Sequence, residues 1–271
     1  MSGGQTSGFG VCGLMAIDSH AHLTFDVFKG DLEDVISRAK NSGVRAIICV
    51  SVDARDFLEA LRISEGYTNY VYPTLGLAPQ MADEIKFEEF LDALERWKGK
   101  YVAIGECGLD YYWRTNSDEV KFMIKSFSRI AEIARNDDIP LIVHARSAHG
   151  KNAYREIVRI LRNLGVERAV FHAFLGRKGD AREITRMGWL VSIPTIYIRR
   201  PDLWEIIKAT SLECMLVETD SPYLPPSKGE RNEPANVIRV LELISKVKEM
   251  DAEEVSEIIL SNTCGFFGIK V

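Results

Sequence analysis

Pro140-Leu141-Ile142-Val143-His144 is a short apolar run that ends on an imidazole, and a helical pattern over 151–164 follows it. A segment this short and this apolar predicts a strand buried on both faces, as in a parallel sheet covered by helices. The same unit recurs along the chain. Segments 14–17, 46–50, 70–75 and 101–105 precede helical patterns near 31–43, 54–65, 84–98 and 118–136. Segments 168–172, 189–193 and 214–218 precede patterns near 178–187, 200–209 and 234–248. Eight strand–helix units predict an α/β fold, a (β/α)8 TIM barrel. An additional C-terminal helix near 251–261 is expected to cover the barrel's outside. A doubly wound open sheet is the alternative. It is disfavoured because no GxGxxG fingerprint follows the first strand.

The size suits one domain: 271 residues, 46% of them hydrophobic, can fill a barrel core. Residues 15–271 are expected to form that domain. The first fourteen residues, rich in Gly and Ser, are expected to be a flexible tail or a cloning remnant, with Met15 a candidate initiator. They lack the basic start and long apolar run of a signal peptide, and no apolar stretch reaches membrane-spanning length. A net charge of −5 excludes a broadly basic protein that coats nucleic acid, but not an enzyme that grips phosphates locally. The five cysteines show no CxxC pair, which predicts a reducing, cytoplasmic compartment.

The chemistry is carried by the strand ends, which form the mouth of a barrel. Four of the five histidines lie there. His20 and His22 stand two apart on an extended segment, so both point to one face. His144 and His172 close two later strands. Glu106 follows 101–105, and Asp220 follows 214–218. Burying six such groups without a cation would be costly. Imidazoles with carboxylates form the usual ligand set of a hydrolytic divalent site. The pattern predicts a metal-dependent hydrolase with two divalent ions. Zn, Mn or Co suits the nitrogen-rich set, and Mg suits it less well. Glu106 can bridge two ions, and Asp220 can bind one and accept the proton of an activated water. Glu218 is read either as orienting a histidine ligand or as pairing with an arginine at the mouth. His149 is expected at the pocket rim or the surface.

Basic residues cluster just past the same strands: Arg114, Arg146, Arg177, Lys178, Arg199 and Arg200. Any one of them is more simply a solvated charge. Arg146, two residues beyond His144, is the strongest candidate for clamping a phosphate, and Arg114 is a second. Tyr112, Trp113 and Tyr223 can stack on a base or simply pack at the rim.

Five motifs occur together: DSHAHL (18–23), GECGLDYY (105–112), PLIVHARSA (140–148), HAF (172–174) and ETDSPYL (218–224). With RNEPANV (231–237) and SNTCGFFG (261–268), the chain from about residue 15 onward resembles the TatD-related deoxyribonuclease family. The resemblance implies a TIM barrel with a divalent-metal centre and nuclease activity. It also implies His20, His22 and Asp220 on one metal, His144 and His172 on the other, and Glu106 between them. One departure stands out: Ala78, in Gly76-Leu77-Ala78-Pro79, replaces the histidine that many members carry before that proline. The leading expectation is therefore a deoxyribonuclease acting on a DNA 3′ end or short oligonucleotide. The alternatives are a hydrolase of an amide, lactone or other phosphoester, and a non-catalytic metal-binding barrel.

Overall fold

The computed structural model describes residues 13–271, so the expected N-terminal tail lies almost wholly outside the described residues. The first half of the chain runs β1 (Ala16–Ala21), α1 (Leu32–Asn41), β2 (Val44–Val50), α2 (Ala54–Gly66), β3 (Val71–Thr74), α3 (Glu84–Arg96), β4 (Ile104–Asp110) and α4 (Ser117–Asn136). The second half runs β5 (Leu141–Arg146), α5 (Ala153–Leu164), β6 (Ala169–Phe171), α6 (Lys178–Arg186), β7 (Leu190–Pro194), α7 (Trp204–Ala209), β8 (Met215–Glu218), α8 (Ile238–Lys248) and α9 (Ala252–Phe267). Helix starts follow local chemistry: Asp53, Asp83, Asn116, Asn152 and Asp251 each accept backbone N–H groups of the following first turn. Helix α7 is shorter than expected, because residues 195–199 and 201–203 form 3-10 turns instead.

All named strand pairs are parallel, in two runs ordered β1-β2-β3 and β4-β5-β6-β7-β8. Two seams join the runs. Gly105 N donates to Leu75 O at 2.9 Å and Val102 N to Pro73 O at 3.0 Å. At the other seam His22 N donates to Ser221 O at 2.8 Å and Asp220 N to His20 O at 2.9 Å. The strands therefore keep the order of a (β/α)8 barrel, with isolated bridges instead of full ladders at the seams.

The apolar residues divide into two layers. An inner group contains Ile17, Ile48, Ile142, Val170 and Leu216, and a larger group packs between strands and helices. Helix α9 corrects the expectation. It runs to Phe267, well past 261, and it does not merely cover the outside. Its early residues Val255 and Ile259 join the outer layer, whereas Phe266, Phe267 and Ile269 join the inner group. Apolar area explains this, since large rings gain more from closing an apolar interior than from facing water.

A second correction concerns β4, expected at 101–105. It begins at Ile104 and carries Glu106 inside it, with a register irregularity between Ile104 and Cys107. Gly105 makes this possible: at φ +146° a side chain would be strained, and a Cβ there would come within 2.6 Å of Ile142. Among the described residues no helix is long and apolar enough to cross a membrane.

Candidate metal centre

β1 and the residue just past its end bring His20 and His22 to one point. His22 Nδ1 donates to Val50 O at 3.0 Å, which fixes its tautomer and leaves the Nε2 lone pair bare. That lone pair faces His20 Nε2 at 3.3 Å and Asp220 Oδ1 at 3.5 Å. His20 Nε2 lies 3.7 Å from the same carboxylate oxygen. The second half of the site repeats the logic. His144 Nε2 donates to Asp110 Oδ2 at 3.0 Å, so its Nδ1 lone pair faces Glu106 Oε2 at 3.2 Å and His172 Nε2 at 3.1 Å. His172 Nε2 lies 2.8 Å from Glu106 Oε2. The His20 and His172 rings stack at 3.9 Å and join the two halves.

Lone pairs facing carboxylate oxygens repel unless a proton or a cation lies between them. The donors form groups that could hold a metal ion: His20, His22 and Asp220; Glu106, His144 and His172; and, overlapping both, His20, His172 and Glu218. This donor chemistry fits divalent ions. Protons are the competing occupants. Burial alone would lower His144, but hydrogen bonds to Asp110 and Glu106 and their charges raise it to about 9. Burial likewise opposes His22, yet Asp220 and Glu106 push it up. His20, buried and beside other imidazoles, is held well below its usual range. Glu106 is buried too, but His144 and His172 hold it well below the ordinary carboxylate range.

The supporting residues explain how this cluster is held. Asp18 is buried and accepts from Thr219 N at 2.8 Å and Thr219 Oγ1 at 2.5 Å, tying β1 to the turn that carries Asp220. Burial pushes Asp18 up to about 7 against those hydrogen bonds. Asp220 has φ +56°, a left-handed conformation that costs a residue with a Cβ about 1–2 kcal/mol. Asn232 braces that turn: its Nδ2 donates to Thr195 Oγ1 and Thr219 O at 2.8 Å and to Tyr223 O at 2.7 Å. Glu218 accepts from Ala173 N and lies 3.8 Å from His172 Nδ1, with no arginine on it among the described residues. At that distance no hydrogen bond forms: His172 Nδ1 and Glu218 Oε2 are both buried without a partner among the described residues, so Glu218 lies beside the histidine without fixing its ring. Burial, then the charge of Asp220, raises its carboxyl well above the usual range.

The arginines separate into two groups. Arg146 lines a cavity of about 390 Å³ together with His144, His172 and Asp220. Its guanidinium sits 4.1 Å over the Tyr112 ring. Arg114 does not line that cavity. It donates to Pro79 O, Gln80 O and Ala82 O at 3.2, 2.6 and 3.1 Å, and pairs with Glu119 at 3.3 Å. Those contacts occupy its fork, so it tethers a loop instead of offering donors to a phosphate. Arg200 is paired with Asp202, Arg199 donates to Pro225 O, and Lys178 lies 4.0 Å from Glu205. Tyr223 is 54% exposed, with its ring 6.2 Å from that of His22. His149 is exposed, as expected. Ala78 is buried, its N–H bonded to Val52 O at 2.9 Å.

Sequence reasoning missed Asp110 and Asn232. Asp110 was legible in principle: Glu106, Gly108 and Asp110 alternate, which on a strand puts both acids on one face. Asn232 had no local signal, because its partners lie on other segments.

Comparison with known proteins agrees with the geometry. The family described as TatD related DNase matches residues 17–268. A human protein named deoxyribonuclease TATDN3 is 33% identical over 266 residues, spanning 94% of this chain and 95% of its own. The uncharacterized metal-dependent hydrolase YabD of Bacillus subtilis is 33% identical over 267 residues, spanning 94% of this chain and 100% of its own. The crystal structure of YjjV, a TatD homologue from Escherichia coli, superposes with a TM-score of 0.84 at 28% identity, covering 94% of this chain and 98% of that one. With a family match over nearly its whole length and a barrel mouth that gathers four histidines and two acids, this chain belongs to the TatD-related DNase family.

Proposed function

We propose that this enzyme is a two-metal phosphodiesterase that shortens single-stranded or frayed DNA from its 3′ end. In this reading His20, His22 and Asp220 would hold one divalent ion and His144 and His172 the other, with Glu106 as the carboxylate that would serve both. The observation that carries the reading is the pair of facing lone-pair clusters joined through the His20–His172 stack. Divalent ions held there lower the pKa of water and offset charge on non-bridging phosphate oxygens. Zn, Mn or Co suits the imidazoles better than Mg does.

The chain's own residues do the rest. Asp220 accepts the proton of the attacking water, and its turn is held by Asn232 so that the carboxylate keeps its aim. Arg146, lining the cavity, grips a non-bridging phosphate oxygen. Tyr223, half exposed at the mouth, stacks on the terminal base. Residues 15–271 act as one hydrolase domain. The cysteines among the described residues are free thiols, which supports action in a reducing, cytoplasmic compartment.

Digestion of 3′-labelled and 5′-labelled single-stranded oligonucleotides with Mg, Mn or Zn tests this, with EDTA and Asp220→Asn as controls. Metal-dependent shortening from the 3′ end, abolished by the substitution, is expected. Intact oligonucleotide under every metal, with metal still bound, would overturn the DNase reading in favour of another ester or amide substrate.

A further inference from the structure

Beside the cavity that holds His144, His172 and Asp220 lies a second groove of about 480 Å³. The two share Ser147, Tyr154 and Leu175 as a common ridge. That ridge is a built feature: Leu175 N donates to Tyr154 Oη at 3.2 Å, and Ala153 N donates to Ser147 Oγ at 3.0 Å. An occupant of the groove thus lies next to the metal centre, across one shared wall.

The groove is basic, although the chain carries a net charge of −5. Lys151, Arg155 and Arg177 line it. All three are exposed, and none has a carboxylate within ion-pair distance among the described residues. The one acid on the wall, Asp180, is engaged on both oxygens, by Asn152 Nδ2 at 3.4 Å and Arg177 N at 2.9 Å. Lys151 is held in place by a tight turn in which its N–H donates to Ala148 O at 2.9 Å, and its ammonium sits 5.2 Å over the Tyr111 ring. Leu175, 43% exposed on the ridge, offers an apolar rest for a sugar or base. Cations left unpaired along a path that leaves a phosphodiester site suit a polyanion that continues past the reacting phosphate.

We propose that this groove binds successive backbone phosphates of a single-stranded oligonucleotide, with Lys151, Arg155 and Arg177 as the contacting cations. The proposal rests on the DNase reading above and adds a second substrate surface to it. It makes affinity depend on strand length. Where two phosphates are gripped, the slope of log Kd against log salt carries a share of about 1.4, at ~0.7 per phosphate for a single strand.

The test is fluorescence anisotropy of the metal-loaded enzyme with labelled oligothymidylates of three and twelve nucleotides, made resistant to cleavage by phosphorothioate linkages. The wild type is compared with a Lys151→Ala, Arg155→Ala, Arg177→Ala triple variant. A control triple variant, Arg96→Ala, Arg162→Ala, Arg186→Ala, removes equal charge from the last turns of α3, α5 and α6. We expect the wild type and the control to bind the longer strand roughly tenfold tighter or more. The groove variant should lose that difference and flatten the salt slope. Equal affinity for both lengths in the wild type, or a groove variant that keeps the wild-type affinity and slope, would overturn the proposal. Digestion of unmodified strands separates the two readings. Turnover with unchanged binding in the groove variant sinks the groove alone. A lost length effect without turnover under any metal leaves the groove and sinks the DNase reading.

Discussion

Asp110 Oδ2 sits 3.0 Å from His144 Nε2, on the opposite edge of the imidazole from Glu106 Oε2, which lies 3.2 Å from Nδ1. The ring is thus held between two carboxylates: Asp110 accepts the Nε2–H hydrogen bond, and Glu106 faces Nδ1, where a proton or a cation must lie between them. Asp110 is fixed in turn by Tyr112 N and Trp113 N, which donate to its Oδ1 at 2.9 and 3.1 Å. Asp110→Asn keeps the shape and removes the charge that makes His144 a strong ligand. We expect metal affinity to fall about 10–100-fold, with little loss of fold stability. Calorimetric titration of the variant with Zn or Mn checks this. Wild-type affinity would show that Asp110 does not support the ligand.

Metal affinity should rise with pH across the neutral range. His144 is raised to about 9 in the described structure, so a proton occupies it below that value and must leave when an ion binds. Each displaced proton makes affinity roughly tenfold tighter per pH unit. Titrations in buffers of different ionisation enthalpy count the protons released. Release of none at neutral pH would contradict this picture of the site.

Removal of metal should lower the melting temperature reversibly. Ions bind the folded cluster and not the dispersed ligands, so free metal at a hundred times Kd contributes about 2.7 kcal/mol. A thermal scan with EDTA, then with metal restored, measures it. Identical midpoints would mean that the cluster holds no ion under those conditions.

Asn232→Ala should damage both fold and site. The side chain serves Thr195 Oγ1, Thr219 O and Tyr223 O from a fully buried position. Each buried group left unpaired costs about 1–3 kcal/mol. Relaxation of the turn should also lower activity more than substitution of exposed Tyr223. A variant of wild-type urea midpoint and activity would show that Asp220 is held by other means.

Asp53 gives a pH-dependent stability test away from the site. It caps α2 through Arg55 N and Asp56 N at 3.0 and 2.9 Å and pairs with Lys86 of α3. Burial alone would raise its pKa, but Lys86 and the helix N–H groups lower it below 3.8. A depressed carboxyl stabilises the fold above its unfolded value, and that contribution is lost as pH falls through the folded one. Asp53→Ala should therefore cost about 0.5–2 kcal/mol at neutral pH. The gap to wild type should narrow in strong acid, below 3.8. A gap of constant size in urea titrations would rule out the ionised cap as its source.

Residue order alone carried the alternation of strand and helix and the placement of His20, His22, Glu106, His144, His172 and Asp220 at the barrel mouth. Both are local matters: strand length, apolar runs and the two-residue alternation of side chains are written within a few neighbours. The chain fold decided the remainder. The bulge that draws Glu106 inside β4 depends on how closely Gly105 approaches Ile142 on the next strand. Which arginine is free also depends on approach through space, since loop carbonyls claim Arg114 while Arg146 keeps an open guanidinium over Tyr112. Phe266 and Phe267 enter the inner core because α9 ends beside an apolar interior built from distant strands. The imidazole tautomers depend on Val50 O and Asp110, partners 28 and 34 residues away in the chain. Hydrogen bonds and charges act over a few ångströms whatever the separation in sequence, so these choices became visible only once the strands were side by side.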